Sequence, residues 1–439
     1  MNSEEMGVRD ASPGYAPQVG MPVVPEGYKQ TEVGMIPEDW EVKRLREISP
    51  RQSVGLVINP STYFDQQGTV PMLVGSNVHE NFIDWSSAKK ITEESNSRLP
   101  ASQLFPGDLV TVRVGDPGVT AVVPPEIGSL NCASMMIVRV SSSFDSDWLC
   151  HLMNSEHGRG QVRNVQYGTA QKQFNISHAI DFVYPVPPIK EQRAIATALS
   201  DVDALLEALD RLIAKKRNIK QATMQQLLTA QTRLPGFEGV WQMKLLTELA
   251  ELRPGINKPL SEMGSGVLYV TVQDLYDGTS IPTSKLSRIK VSPIEIDSKC
   301  LAVGDIVFGK SSVKRDGIGY PSQFLGCDEP VVFSGFTYRA RAYPKSADAS
   351  FLFYALRTEQ TRRWLIDNSQ ASALTNINQK IADAIPVRVP PTVNEQRAIA
   401  NVLSEIDTEL EALQQHRAKT VLLKQSMMQE LLTGRTRLV

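Results

Sequence analysis

The sequence predicts an α+β protein that contains two mixed α/β modules in tandem, each followed by a long helix, with the two helices pairing as an antiparallel coiled coil. Three observations predict this fold class. A segment of 44 residues occurs twice, at 191–234 and 395–438. Both copies carry a heptad pattern of apolar residues. The stretches before the copies differ strongly but keep a common skeleton, which gives the order module, helix, module, helix.

The repeated segment is an internal duplication. Its copies begin with the same six residues, Glu-Gln-Arg-Ala-Ile-Ala, at Glu191 and at Glu395. The offset is 204 throughout without a gap, and 25 of the 44 positions are identical. A Pro-Pro pair precedes each copy, at 187–188 and 390–391, where a missing backbone N–H costs a helix nothing. We therefore predict two helices of about 40 residues, each roughly 60 Å long at 1.5 Å per residue.

An apolar seam runs along both predicted helices. Its members step by four and three residues, the pattern that packs one helix lengthwise against another. They are Ile195, Leu199, Val202, Leu206, Leu209 and Ile213 in the first copy, and Ile399, Leu403, Ile406, Leu410 and Leu413 in the second. We predict that the two helices pair with each other, antiparallel or nearly so, as a spacer between the modules. The alternative is that each is an amphipathic helix of its own module's core.

The predicted boundaries follow from the repeat. Residues 1–24 have little periodicity, are rich in Pro, Gly and Ser, and are expected to form a flexible leader. The first module spans 25–188 and its helix 189–234, while the second module spans 235–392 and its helix 393–439.

The interiors of the modules share a sparse skeleton. A Gly-Asp turn leads into an apolar strand at 105–110 and again at 302–307. Helical stretches are predicted at 148–165 and 350–367, and a polar loop follows each of them. The two modules share these elements but differ in the rest of their sequence. We interpret this as two modules that read different targets.

Composition excludes several classes of protein. The chain has 41% hydrophobic and 21% charged residues and a formal net charge of −2, so any DNA contact has to rest on local clusters of basic residues. No run approaches the ~18 apolar residues of a membrane span. The cysteines, Cys132, Cys150, Cys300 and Cys327, stand far apart with no C-x-x-C. We expect a cytoplasmic protein without a membrane span, a metal site or disulfides.

One motif suggests nucleotide binding, and it is weak. Gly304 to Ser311 fits the P-loop expression G-x-x-x-x-G-K-[ST]. A P-loop requires a loop between a strand and a helix so that backbone N–H groups can hold phosphate. Here the variable positions are strand-like and the residues at 312–317 predict a turn. Methyltransferase and metal-binding patterns are absent from the sequence as well, so we predict a chain that is not an enzyme.

The layout resembles the specificity subunit of type I restriction–modification enzymes. The resemblance covers about residues 25–439 and is most specific at 187–234 and 390–438. The Gly-Thr-Ala-Gln loop at 168–171 adds support. The second module departs from that loop and reads Ser-Ala-Leu-Thr at 372–375.

The resemblance implies that each module is a target recognition domain, which binds one half of an interrupted site in double-stranded DNA. It implies that the paired helices separate these domains and dock two modification subunits, which methylate adenine with S-adenosylmethionine. Restriction subunits that use ATP and Mg²⁺ would join this core in the defence against phage, and no cofactor is expected in the chain itself. Stiff helices favour half-sites about one helical turn apart.

Candidate DNA contacts are Arg, Lys, Asn and Gln side chains, because these groups read base edges in the major groove and also hold phosphate. In the first module they are Arg113, Arg159, Arg163, Gln171, Lys172 and Gln173, and in the second Lys310, Lys314, Arg315, Arg362, Arg363, Asn376 and Asn378. For each of them the alternative is a solvated surface charge or a turn amide. For the whole chain the alternative is a scaffold that binds no DNA and assembles other proteins through its coiled coil.

Overall fold

The computed structural model describes residues 24–276, 278–371 and 374–438. The chain forms two compact units, and each of the two long helices has one end in each unit. The first unit contains the described residues up to Glu207 and those from Ala418, and the second runs from Ala208 to Arg417. The linear boundaries derived from the repeat stay predictions, because this division cuts both helices.

Two sequence predictions fall partly on residues that are not described. The leader, 1–24, lies outside the described residues except for Val24. Residues 372 and 373 of the polar loop at 372–375 lie outside them as well.

The long helices span Ile189–Leu228 and Val393–Leu431. They are called here the first and the second long helix. Both begin within two residues of their Pro-Pro pair, where the fixed φ of proline suits a helix start.

The module of the first unit is built on two four-stranded sheets. One sheet is antiparallel, with the strand order Thr120–Val122, Leu109–Val112, Met135–Val138 and Gln52–Val54. The other has the order Lys89–Ile91, Val70–Leu73, Leu130–Cys132 and Gln103–Leu104, and its middle pair is parallel. Hairpins join Tyr28–Thr31 to Gly34–Pro37 and Val78–His79 to Phe82–Ile83, while Glu41–Arg44 pairs with Val183–Val186. Its helices are Leu45–Ile48, Glu93–Ser97, Ser146–Asn154, Glu156–Val165 and Ile176–Ala179.

The module of the second unit repeats the four-stranded antiparallel sheet of the first. Its antiparallel sheet has the order Ala250–Pro254, Thr337–Ala342, Ile306–Gly309 and Pro321–Gln323. A second sheet, Ser287–Ile289, Met263–Val270 and Val331–Phe333, again contains one parallel pair. Gln242–Leu245 pairs with Pro386–Val389, and a small sheet joins Ser311–Ser312, Thr375–Asn376 and Gln370–Ala371. Its helices are Leu246–Leu249, Pro293–Lys299, Ala349–Leu356, Glu359–Asn368 and Gln379–Asp383.

Both predicted helical stretches inside the modules are broken into two helices, which corrects the prediction of single stretches. In the first module the break falls at Ser155, whose hydroxyl accepts a hydrogen bond from the backbone N–H of Gly158 at 3.3 Å. In the second module Thr358 caps the next helix through the N–H of Thr361 in the same way. A serine or threonine that caps a helix in this way ends the one before it, and the Ser-Glu and Thr-Glu pairs were the local signal.

The repeated Gly-Asp turn has a structural explanation. Buried Asp108 accepts hydrogen bonds from the backbone N–H groups of Phe105 and Val140, both at 3.0 Å, and pairs with Arg139 at 2.6 Å. In the second unit Asp305 pairs with Arg341 through two contacts of 2.8 and 2.7 Å. The motif survives in both modules because a buried carboxylate holds the turn and an arginine neutralises it.

The repeated Glu-Gln pair fixes each long helix to its module. The side-chain oxygen of Gln192 accepts the backbone N–H of Asp145 at 2.9 Å, and Gln396 accepts that of Asp348 at 2.8 Å. Asp145 caps the helix Ser146–Asn154, and Asp348 caps the helix Ala349–Leu356. The strongest sequence signal in the chain is therefore a joint between a long helix and a module.

The long helices pair antiparallel within each unit, which confirms the predicted fold class. In the first unit Asp203, near the start of the first long helix, forms an ion pair with Lys424, near the end of the second. In the second unit Lys220 pairs with Asp407 at 2.5 Å, in the opposite sense along the helices. Arg417 reaches Asp210 through two contacts of 2.5 and 3.0 Å.

The seam residues differ in burial. Buried members are Ile195, Leu199, Leu209, Ile213, Ile399, Leu403 and Leu410, while Val202, Leu206, Ile406 and Leu413 are half-buried. The ends of the seam join the module cores, since Ile195 and Leu199 pack with Leu431 and Leu432 in the first unit. Both alternatives in the sequence thus describe part of the structure, because the same helices belong to the cores and pair with each other.

Candidate nucleic-acid interface

The polar loop of the first module is a tight hairpin. The backbones of Tyr167 and Gln173 exchange two hydrogen bonds of 2.9 Å. Gly168 has a φ of +99°, and a Cβ atom there would lie 2.2 Å from the carbonyl oxygen of Gln171. Only glycine fits this position. The hairpin presents the exposed side chains of Gln171 and Lys172 at its tip.

This hairpin is attached to the end of a sheet strand. The N–H of Gly115 donates to the carbonyl oxygen of Lys172 at 3.0 Å, and the N–H of Phe174 donates to that of Arg113 at 3.3 Å. The guanidinium of Arg113 returns to the carbonyl oxygen of Phe174, also at 3.3 Å. The structure therefore brings Arg113 together with the three candidates of the loop, and half-buried Arg113 supports the loop.

Two further candidates lie on the helix Glu156–Val165. Arg159 donates to the carboxylate of Asp116 at 2.5 Å, which links that helix to the strand end beside the hairpin. One guanidinium nitrogen of Arg159, Nη1, is buried and has no hydrogen-bond partner among the described residues. Exposed Arg163 follows one turn later and forms an ion pair with Glu156. Arg159 therefore stabilises this surface through its contact with Asp116. The exposed ion pair between Arg163 and Glu156 is weak, so Arg163 can leave Glu156 and bind a DNA phosphate instead.

In the second module the corresponding surface surrounds the strand Ser311–Ser312. That strand pairs with Thr375–Asn376, and the N–H of Ile377 donates to the carbonyl oxygen of Lys310 at 2.9 Å. Lys314 and Arg315 are exposed in the turn that follows. The structure thus brings Lys310, Lys314, Arg315 and Asn376 to one region of the module.

The Lys310 ammonium is a poor candidate for contact with a ligand. It lies 4.4 Å from the centroid of the Tyr338 ring, in a cation–π contact. Burial, and then the nearby charge of Lys299, lower the pKa of Lys310 below its ordinary value.

The three remaining candidates of the second module have structural partners. Arg362 donates to the backbone carbonyl of Asp316 at 2.7 Å, and burial lowers its pKa. Arg363 pairs with Glu359 one turn away on an exposed helix face. The side chain of Asn378 caps Gln379–Asp383 by accepting the N–H of Ile381 at 2.9 Å. The turn-amide alternative therefore describes the fold role of Asn378.

The P-loop expression does not form a P-loop. Strand Ile306–Gly309 occupies three of its four variable positions, and Ser311–Ser312 forms the next strand. The following element is a single 3₁₀ turn, Arg315–Gly317, instead of an α-helix. The segment lacks a helix N-terminus directed at a phosphate, which is the feature that phosphate binding requires.

The sequence reasoning missed a cleft in the second module. It has a volume of about 970 Å³, and its lining includes the aromatic rings of Tyr276, Tyr320 and Phe336 together with Lys314 and Ser311. The three aromatic residues come from separate segments, so no local pattern predicted that they meet. The exposure of Tyr276 and Phe336 is a signal for this cleft, and it appears only in the folded chain.

The described residues form neither a metal-binding cluster nor a membrane-spanning helix. No cluster of three or more His, Cys, Asp or Glu side chains in the described part of the chain is arranged to hold a metal ion. No helix there is both long and apolar enough to cross a membrane.

The similarity to known proteins covers both halves of the duplicated chain. Residues 37–217 and 239–421 each match the family model described as type I restriction modification DNA specificity domain. The putative type I restriction enzyme MjaX specificity subunit of Methanocaldococcus jannaschii is 23% identical over 438 residues, which cover 94% of this chain and 97% of that relative.

Two further similarities are shorter or purely structural. The type I restriction enzyme MjaVIII specificity subunit of the same organism is 26% identical over 222 residues, 48% of this chain, and the match spans about half of that relative, 50%. A crystal structure of a type I restriction–modification S subunit from M. genitalium aligns with a TM-score of 0.59 at 14% identity and covers 90% of this chain and 96% of its own. The last similarity concerns the fold alone.

Proposed function

This chain belongs to the family of type I restriction modification DNA specificity domains, and from that premise we propose that it selects the DNA on which partner enzymes act. The module of the first unit binds one half of an interrupted target, and the module of the second unit binds the other half. The chain performs no chemistry itself.

The observation that carries the proposal is the repeated topology with unlike surfaces. Both modules have a four-stranded antiparallel sheet with the same strand order, the same carboxylate-held turn and the same glutamine joint to a long helix. The surfaces differ, with a tight glycine hairpin in one and an aromatic cleft in the other. Such a pair holds two different recognition surfaces on one frame, which suits an asymmetric DNA site.

In the first module, Gln171 and Lys172 at the hairpin tip are the side chains best placed to meet DNA. Amide and ammonium groups read base edges or bind phosphate, and both side chains are exposed. Exposed Arg163 adds a positive charge that can contact the phosphate backbone of the DNA. In the second module, exposed Lys314 lines the cleft, and exposed Arg315 follows it in the same turn.

The partners follow from the family and complete the proposal. Two modification subunits dock on the paired long helices and supply S-adenosylmethionine for methylation of adenine. Restriction subunits supply ATP-driven, Mg²⁺-dependent cleavage. These cofactors belong to the partners, and the complex works in the cytoplasm.

Methylome sequencing of cells with and without this chain tests the proposal. We expect one interrupted motif, methylated on adenine, that disappears when the chain is deleted and returns with the plasmid-borne chain. A matched pair of variants, Lys172→Ala and Lys90→Ala, separates recognition from general surface charge, because Lys90 is exposed on the edge strand Lys89–Ile91 of the same module. Loss of methylation for the first variant alone supports the proposal. An unchanged methylome after deletion contradicts it and favours the scaffold alternative.

A further inference from the structure

The cleft in the second module has the surface of a binding site. Tyr276 is 43% exposed and Phe336 is 65% exposed, although large aromatic side chains are normally mostly buried. The ring centroids of Tyr276 and Tyr320 lie 6.1 Å apart. A volume of about 970 Å³ lies at the upper end of the roughly 300–1,000 Å³ that small-ligand pockets occupy. These rings offer faces on which a planar ligand can stack.

The rings of Tyr276, Tyr320 and Phe336 form an aromatic wall of the cleft, and positive charge lies behind it. The guanidinium carbons of Arg357 and Arg362 are 4.6 and 5.5 Å from the Tyr320 ring centroid. Each arginine has one buried nitrogen, Nη1, without a hydrogen-bond partner among the described residues. Within that part of the chain neither arginine forms an ion pair with a carboxylate. Two guanidinium groups without acidic partners favour an anionic ligand at this wall.

The rim of the cleft carries groups that can recognise the edge of a heteroaromatic ring. Exposed Lys314 adds a cation that suits phosphate, while Lys258 at the same rim is paired with Glu295 at 3.1 Å. Asp316 contributes a carboxylate, which accepts hydrogen bonds from exocyclic amines. The amide of exposed Gln273 can both donate and accept. Stacking faces, a cation and an amine acceptor together match a nucleobase with its phosphate.

We propose that this cleft holds one nucleobase, unstacked from the DNA half-site that the second module binds. The inference rests on the proposed function and deepens it. A base inside a duplex cannot reach a cleft of this kind, so it has to leave the stack. The aromatic rings then replace its lost neighbours, since stacking on aromatic side chains is tolerant of base identity. A free nucleotide has the same chemistry and is the competing source of the ligand.

Affinity for DNA with one missing base tests the proposal. The probe is the complex of the full chain with its modification subunits, and the DNA is the methylated motif of the same cell. In a series of duplexes, each base of each half-site in turn faces an abasic position. We expect about tenfold tighter binding at one position of the half-site that the second module reads, because an unpaired base leaves the stack more easily.

Matched variants assign this gain to the cleft. Tyr276→Ala and Phe336→Ala should abolish the tighter binding, whereas Tyr276→Phe should keep it because the ring remains. The controls are Tyr343→Ala and Leu325→Ala, at residues of the same unit that are 42% and 64% exposed and do not line the cleft. The wild-type complex gives an independent readout, since 2-aminopurine at that position should change its fluorescence at least twofold on binding.

Each other outcome overturns the inference. It fails if wild type binds the intact motif but no position gains affinity, if the gain survives Phe336→Ala, or if the fluorescence is unchanged. Micromolar binding of AMP that Phe336→Ala abolishes would instead assign the cleft to free nucleotides. If wild type does not bind the intact motif at all, the proposed function itself is wrong, and the inference falls with it.

Discussion

At the scale of single residues, the glutamate of the repeated motif ties three parts of the chain together. Buried Glu191 accepts the indole N–H of Trp40 at 2.9 Å and two hydrogen bonds from Arg437 at 2.7 and 2.8 Å. The second unit repeats this arrangement, where Glu395 accepts Trp241 at 3.3 Å and Arg233 at 2.8 and 2.7 Å. In both units the arginine at the tail of one copy neutralises the glutamate at the head of the other.

Removal of one such arginine should destabilise the chain strongly. Arg437→Met leaves the Glu191 carboxylate buried and without its cation, which costs about 3–5 kcal/mol of unfolding free energy. Arg435→Met is the matched control, because Arg435 is exposed and lies 3.8 Å from Glu430. We expect the control to change stability by less than about 0.5 kcal/mol. Urea unfolding of both variants checks this, and equal losses would contradict the role of the buried pair.

A buried histidine predicts acid sensitivity of the first unit. Burial lowers the pKa of His151 from 6.5 to about 4, although the charge of Asp203 opposes the shift. Its Nδ1 atom has no hydrogen-bond partner among the described residues. Because the folded state takes up this proton less readily than the unfolded state, the stability from neutral His151 is full above pH 6.5 and declines as the pH falls toward 4.

The second unit suggests the variant that tests this dependence. Tyr354 has the equivalent position, and its hydroxyl contacts Asp407 at 2.8 Å. Between pH 7 and 4, wild type should lose about 3 kcal/mol more unfolding free energy than His151→Tyr. Chemical unfolding at both pH values measures the difference. Parallel pH profiles for the two proteins would exclude His151 as the source.

At the scale of elements, the ends of the long helices show where the repeat is strained. Ala230, just after the first long helix, has a φ of +58°, and Gly434 at the same repeat position has a φ of +71°. Glycine adopts this left-handed conformation without strain, whereas an L-residue with a Cβ pays roughly 1–2 kcal/mol. The helix terminus of the first copy is therefore strained at Ala230, whereas that of the second copy has an unstrained glycine at Gly434.

Exchange of these residues should have opposite effects. Ala230→Gly should raise the unfolding free energy by about 1 kcal/mol because it removes the strain. Gly434→Ala should lower it by more, since a Cβ atom there would lie 2.4 Å from Cδ of Pro37. Thermal unfolding of the two variants checks the signs. A stabilised Gly434→Ala protein would contradict this account of the helix termini.

The seam between the long helices can be tested within one helix. Leu410 is 8% exposed and Leu422 is 63% exposed. Leu410→Asp places a charge without a partner in the seam and should cost about 3 kcal/mol or more. Leu422→Asp should leave the melting temperature nearly unchanged. If Leu410→Asp and Leu422→Asp have the same melting temperature, the seam does not stabilise the chain.

The long helices could be predicted because their apolar period persists over many turns. The strands inside the modules gave a weaker signal. All four residues of Leu109–Val112 are buried, so the strand has no alternation of polar and apolar residues to detect. The breaks at Ser155 and Thr358 were visible only as single capping residues. Periodicity therefore predicted the frame, and local hydrogen bonds decided the details.

At the scale of the whole molecule, the recognition surface was much less predictable than the fold. Gln171 and Lys172 lie at an exposed hairpin tip, where a DNA contact is geometrically possible. Asn378 instead caps a helix, and Arg362 supports an aromatic ring. Residue type alone cannot separate these cases, because the same amide or guanidinium serves a fold or a ligand according to its neighbours.

The central claim is that each module alone selects one half of the DNA target. Replacement of residues 25–188 by the corresponding module of another member of the family, followed by methylome sequencing, tests it most directly. The reciprocal replacement of 235–392 is the control. We predict that each exchange rewrites one half of the interrupted motif, a different half in each case, and preserves the other. A motif in which both halves change, or neither, would contradict the claim.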